Sequence, residues 1–207
     1  MGTLQKFDIK TLVDKYQLQY FIETGTWTGE GVWFAAQFDF LELHSIELMK
    51  SYYDACCAKF QPYPKIKIYH GMSVTMLTEI LTKQEIGRTL FWLDAHLPNF
   101  YDKNFDTNYN ENPTLLIPLE EELKIIVNNK SVANDVFIID DLRIYETGDF
   151  QSGNWLDVIN SGHNTGIDFI VNLLGETHTI QKFYEHEGYI VCLPKENNPE
   201  VTETINE

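Results

Sequence analysis

The chain has 207 residues, and its 31 Asp and Glu against 15 Lys and Arg give a formal net charge of -16. A hydrophobic content of 43% and an aromatic content of 14% are ordinary for a folding chain, so the acidity is not that of a disordered tail. The length suits one domain. Charge of this sign excludes nucleic-acid backbones and anionic membrane surfaces as main partners, because both are held through clustered Lys and Arg. A small, neutral or cationic ligand remains, with or without a metal. Cys56, Cys57 and Cys192 show no CxxC spacing and no zinc-ligand neighbours, as in a reducing compartment. No run reaches the roughly 18 apolar residues of a membrane span, and the first ten residues do not read as a signal peptide. The expectation is a cytoplasmic protein.

Residues 8–19 carry Ile9, Leu12, Val13 and Tyr16 at helical spacing behind Asp8, a capping residue. Residues 20–23 read as a buried strand, and the run VWFAAQF after Gly31 reads as a helix. A second strand is predicted over 41–47, a helix over 48–60, and a third strand over 65–69. Ser73 is placed to cap a helix running to about Gln84. Residues 89–93 form a fourth strand, followed directly by Asp94-Ala95-His96. Residues 97–112 are too long for a routine connection and suggest a lid. The longest helix is expected over 113–128, with Glu120, Glu121 and Glu122 as a solvated acidic patch. A fifth strand at 136–139 ends in Asp140-Asp141. An irregular stretch to residue 165 contains a short helix, WLDVIN. A helix over 166–174 then leads to two strands, 178–184 and 189–193, joined through Gly188 as an antiparallel hairpin. Five strands alternating with helices and then an antiparallel pair describe an α/β sheet covered on both faces, in a single domain over residues 1–195 with a polar tail at 196–207.

Ligands of such sheets bind at the carboxyl ends of the strands, and Glu23, Glu47, Asp94, Asp140 and Asp141 all stand there. The first turn, Glu23-Thr24-Gly25-Thr26-Trp27-Thr28-Gly29, is acidic-x-Gly-x-x-x-Gly between a strand and a helix. A dinucleotide fingerprint starting at Gly25 would need glycine where Trp27 and Glu30 stand. An acid beside glycines suits a ligand with an amino group better than a pyrophosphate. The segment EtGtwtG, with the acid Glu47 ending the second strand, resembles motifs I and II of class I S-adenosylmethionine-dependent methyltransferases over residues 18–195.

That resemblance implies a Rossmann-like, seven-stranded mixed sheet in the order 3-2-1-4-5-7-6 with strand 7 antiparallel. It implies S-adenosylmethionine as coenzyme, with Glu23, Gly25, Thr26, Trp27 and Gly29 at its methionine end and Glu47 on the ribose hydroxyls. Met72 and Ser73 would border the adenine, Met72 standing where the family often has an acid. Asp94 with Asp140-Asp141 is similar to the metal-dependent O-methyltransferases, which implies a Mg or Mn ion on these three residues and His96 as general base. Asp94 would serve coenzyme and catalysis alike. Arg143 and His163 are candidate substrate contacts. Trp27, Phe100, Tyr101, Tyr109 and Trp155 are aromatics able to stack on a sugar.

The function these readings imply is O-methylation of a hydroxyl of a sugar or glycan, with divalent-metal assistance. Two other readings stay open: a metal-independent methyltransferase acting on a small molecule or protein, and a non-catalytic coenzyme-binding module. D-A-H-x-D of the ureohydrolases fails at Pro98, and no G-x-S-x-G, P-loop or H-E-x-x-H occurs. The amino-methyltransferase signature of nucleic-acid enzymes is also missing, in agreement with the charge. The acceptor and the oligomeric state carry no motif.

Overall fold

The runs TLFWL and VFII are continuous and apolar, so the strands they form must be covered on both faces. The structure, a computed structural model, describes residues 3–96, 116–155 and 166–196. It shows β1 (Tyr20–Thr24), β2 (Glu42–Glu47), β3 (Ile66–His70), β4 (Thr89–Leu93), β5 (Val136–Asp140), β6 (His178–Phe183) and β7 (Tyr189–Pro194). They form one seven-stranded sheet in the order β3-β2-β1-β4-β5-β7-β6. Strands β1 to β5 pair in parallel and β7 runs antiparallel to β5 and β6. This is the expected sheet.

Successive residues of each central strand supply opposite faces. On β5, Phe137 and Ile139 enter one core with Ile22, Phe91 and Leu123, while Val136 and Ile138 enter the other with Phe21, Leu43 and Leu90. Phe91 and Phe137 stack at 4.9 Å between centroids. Each such side chain contributes about 1.5–3 kcal/mol of burial, so the two cores fix the register that brings the strand ends level.

The helices are α1 (Ile9–Tyr16), α2 (Glu30–Ala35), α3 (Lys50–Phe60), α4 (Ser73–Lys83), α5 (Leu119–Asn129) and α6 (Asp168–Leu174). Asp8 caps α1 as expected, accepting from the Thr11 N–H at 3.1 Å. Ser73 does not cap α4: the cap position is Met72, without a side-chain bond, and Ser73 is the buried first helical residue. Helix α5 spans 11 residues, as α3 and α4 do, and residues 113–115 of the helix expected over 113–128 lie outside the described residues. The expected lid at 97–112, most of WLDVIN, and the polar tail beyond residue 196 lie outside the described residues, as do His163, Phe100, Tyr101 and Tyr109. No helix among the described residues is long and apolar enough to cross a membrane.

Candidate active site

A crevice runs along the carboxyl ends of the strands, lined by Glu23, Gly25, Thr26 and Trp27 from β1 and its turn, Glu47 from β2, Met72 and Ser73 after β3, and Asp94 and His96 after β4. The chain makes a tight fold at β1 because two positions leave no room for a side chain. Gly25 has φ +86° and a Cβ there would lie 2.7 Å from the Asp94 carbonyl oxygen; a Cβ on Gly31 would overlap Glu23 Oε1. Trp27 also holds a positive φ of 47°, backbone strain of the sort that collects at functional sites.

Glu23 is 1% exposed. Burial, with Glu47 adding to it, pushes its carboxyl up to about 8 against the opposing bonds from the Ser45 hydroxyl and the Val32 N–H. Glu47 uses its two oxygens to bridge two loops, accepting from Trp27 N at 2.7 Å and Met49 N at 2.7 Å. Each oxygen keeps a lone pair for a ligand hydroxyl. Thr26 turns inward, its hydroxyl 2.6 Å from that of Ser45.

At the other end, β4 and β5 deliver four titratable groups. Nε2 of His96 is 2.6 Å from Asp141 Oδ2, and its Nδ1 is 3.4 Å from Asp94 Oδ1. Burial works against a charged imidazole, yet Asp141, its hydrogen bond and Asp140 outweigh burial and raise the His96 pKa. Asp141 stands at φ +56° and its second oxygen, Oδ1, accepts from Arg143 Nε at 2.7 Å. Burial pushes up its carboxyl too, but His96 and Arg143 prevail and hold it below the usual range. Asp140 is the opposite case. Its oxygens are buried without a hydrogen-bond partner among the described residues, and burial with the Asp141 charge pushes it up to about 6. Asp94 faces Asp140, and burial and that neighbour raise its pKa well above the ordinary value.

The expected three-acid metal site is therefore not assembled. No group of three or more His, Cys, Asp or Glu among the described residues is arranged to hold an ion. The reason is local: both Asp141 oxygens are taken by His96 and Arg143. The pair Asp94–Asp140 does fit a hard divalent cation, since two facing carboxylates in a desolvated place need either a shared proton or a positive charge between them. Arg143 does not line the crevice. Its guanidinium bonds the Ser152 carbonyl at 3.2 Å and sits over Trp155 at 4.8 Å, and Trp155 meets the His96 ring edge-on at 6.2 Å.

Sequence reasoning missed two contributors. Thr3, Leu4 and Gln5 wall the crevice, held by Lys6 Nζ on the Tyr189 hydroxyl at 2.6 Å. Glu122, expected to be solvated, is 1% exposed. Its spacing with Leu119, Leu123 and Ile126 on the buried face of α5 was the available signal.

Comparison with solved structures bears on the fold. An O-methyltransferase from Bacillus cereus in complex with SAH superposes at a TM-score of 0.56 and 16% identity, over 90% of this chain and 79% of that one. N-methyltransferase NodS from Bradyrhizobium japonicum WM9, in complex with S-adenosyl-L-homocysteine, gives 0.50 and 11% over 88% and 82%. The chain has a class I methyltransferase fold. The methyltransferase domain of bacterial CtHen1 shares it at 0.50 and 6% identity, over 90% of this chain and 95% of that domain. Sequence comparison matches no family model and no curated protein. In this methyltransferase fold the crevice occupies the strand ends where ligands of open α/β sheets bind.

Proposed function

We propose that the protein is an S-adenosylmethionine-dependent O-methyltransferase acting on a hydroxyl of a sugar or glycan, with a divalent metal assisting. The observation that carries this reading is that Asp94 and His96, which line one end of the crevice, meet Asp140 and Asp141 from the end of β5. Glu47 receives the ribose diol, the turn at Gly25 and Trp27 passes the methionine, and Glu23 stands behind its amino group. Met72 and Ser73 border the adenine.

His96 takes the proton of the acceptor hydroxyl on Nδ1 while Asp141 holds Nε2–H and stabilises the imidazolium that forms. The freed oxygen attacks the sulfonium methyl in line. One C–O bond forms, the S–CH₃ bond breaks with its electrons going to sulfur, and S-adenosylhomocysteine leaves. Asp94 and Asp140 would hold Mg²⁺ or Mn²⁺, which when bound makes a nearby hydroxyl more acidic. A neutral polyol suits the crevice because Glu23, Glu47 and Asp94 on its lining can accept from hydroxyls. The engagement of both Asp141 oxygens favours a second reading, in which Asp94 and Asp140 share a proton and the transfer needs no metal.

Thermal-shift titration with S-adenosylmethionine should raise the melting temperature; no shift would overturn the proposal. Turnover on a panel of free sugars should rise on adding Mg²⁺ or Mn²⁺ and fall in excess chelator, whereas turnover indifferent to chelator selects the metal-free reading. His96→Gln should lower kcat by about 100-fold with the coenzyme shift retained.

A further inference from the structure

The acids at the ends of β4 and β5 are divided by a cation that the chain itself supplies. Arg143 stands two residues after Asp141, in a single turn of 3-10 helix (Leu142–Ile144), and its Nε donates to Asp141 Oδ1 at 2.7 Å. The two side chains are 17% and 3% exposed, so water screens this pair far less than a surface bridge. The other oxygen, Oδ2, lies 2.6 Å from His96 Nε2.

Arg143 is held independently of Asp141. Its N–H donates to the Glu187 carbonyl at 3.2 Å, next to the bond from Leu142 N to the Gly188 carbonyl at 3.0 Å. Its Nη1 donates to the Ser152 carbonyl at 3.2 Å, and Ser152 N donates to the His186 carbonyl at 3.0 Å. The guanidinium lies over the Trp155 ring at 4.8 Å. These bonds tie the fork to the loop after β5 and to the β6–β7 turn, and so fix where its positive charge sits.

A dication on Asp141 Oδ1 would share one oxygen with that guanidinium, two positive centres held against each other in a desolvated place. Asp94 and Asp140 have no such rival. The Asp140 oxygens have no hydrogen-bond partner among the described residues, and the contact of Asp94 Oδ1 with His96 Nδ1 is long at 3.4 Å. His96 touches both Asp94 and Asp141, so no more than one imidazole separates them. Asp141 is kept out of a three-acid group by its partner.

We propose that Arg143 is a positioning residue that takes the place of a divalent cation on Asp141, confining an ion to Asp94 and Asp140 and reserving Asp141 for His96. The inference rests on the metal-assisted reading above. Fewer protein ligands on the ion leave more of its positions to water and acceptor hydroxyls.

Calorimetric titration of the full chain with MnCl₂, and anomalous diffraction from crystals soaked in it, test the proposal. The wild-type ion should sit on Asp94 and Asp140 with Arg143 still bonded to Asp141. Arg143→Met keeps a stem to pack on Trp155 but has neither charge nor donor. It should bind Mn²⁺ at least about tenfold more tightly, with Asp141 as a third ligand. Arg143→Gln carries the test if the Met variant does not fold, as circular dichroism will tell. An ion coordinated by Asp141 in the wild-type protein overturns the proposal and leaves the metal reading standing. So does unchanged affinity in the variant, or tighter binding without Asp141, which is the effect of lost charge alone. Binding by the variant through Asp141 with none by the wild-type protein supports the role of Arg143 and removes the metal from the reaction. Binding by neither overturns both.

Discussion

Asp140 and Asp141 are consecutive in the chain and opposite in their electrostatics. The positive φ of Asp141 turns its side chain away from the line of β5, toward His96 and Arg143, which satisfy it on both oxygens. Asp140, still in the strand, is left facing Asp94 with no donor among the described residues. Substitution should separate the two. Asp141→Ala strands two cations without their counter-ion and should cost about 3 kcal/mol or more. Asp140→Asn removes a like charge from a desolvated pair and should stabilise the metal-free protein by roughly 1 kcal/mol while abolishing turnover. Urea unfolding of both variants in chelator checks the two signs; a shared sign would contradict the assignment.

The turn between β1 and α2 works as a unit because its backbone is pressed against other strand ends. A methyl group on Gly25 would meet the Asp94 carbonyl and one on Gly31 the Glu23 carboxyl, so neither neighbour can give way without moving the site. Gly25→Ala should cost about 2 kcal/mol and weaken S-adenosylhomocysteine at least about tenfold, measured by calorimetry on protein shown to be folded. At this scale the chain was most legible. Strands β4 and β5 read correctly because each is an unbroken apolar run with a carboxylate at its end, β1 and β2 because apolar residues run up to a carboxylate or turn, and β3 because it alternates; those strand ends placed Glu23, Glu47, Asp94 and His96 on one crevice. What stayed hidden depends on direction rather than position. The helical order of three consecutive glutamates gives no hint that Glu122 alone points inward unless its spacing from Leu119 and Ile126 is counted. That the Asp141 oxygens are taken by Arg143 and His96 follows from a single backbone dihedral. Ser73 was misread as a cap because a serine at a helix start is usually one; here it is the first helical residue and buried.

Across the molecule, the acidity has a cost concentrated in a few buried groups. Burial pushes Glu23 up to about 8, Glu122 to about 7, and Asp135 and Asp140 to about 6. An acid whose folded pKa lies above its unfolded value binds a proton better in the folded state, so stability falls as pH rises through that interval, by about 1.4 kcal/mol per unit for each such group. His44, which burial lowers to about 4, and His178, also lowered by burial, act the other way, but only below their unfolded pKa near 6.5. From pH 6.5 to 8 Glu23, joined by Glu122 up to about 7, is unopposed, Asp135 and Asp140 having titrated below that window. The melting temperature of the ligand-free protein in chelator should therefore fall across that window, and Glu122→Gln should flatten the slope. A flat or rising curve in the wild-type protein would show that these carboxyls are not desolvated as described.

The wall of the crevice formed by residues 3–5 has a kinetic side. Its tie is the Tyr189 hydroxyl, which accepts from Thr3 N at 3.4 Å across 186 residues of sequence, and Tyr189 is itself set opposite Asp140 by the β5–β7 ladder. Closing so wide a loop is entropically unfavourable until the sheet already exists to reward it. The central strands can therefore collapse and become native-like before the crevice has its outer side. Recovery of coenzyme binding during refolding should lag behind the recovery of sheet signal, and the interval between them is the time the chain needs to bring its two distant ends onto one strand.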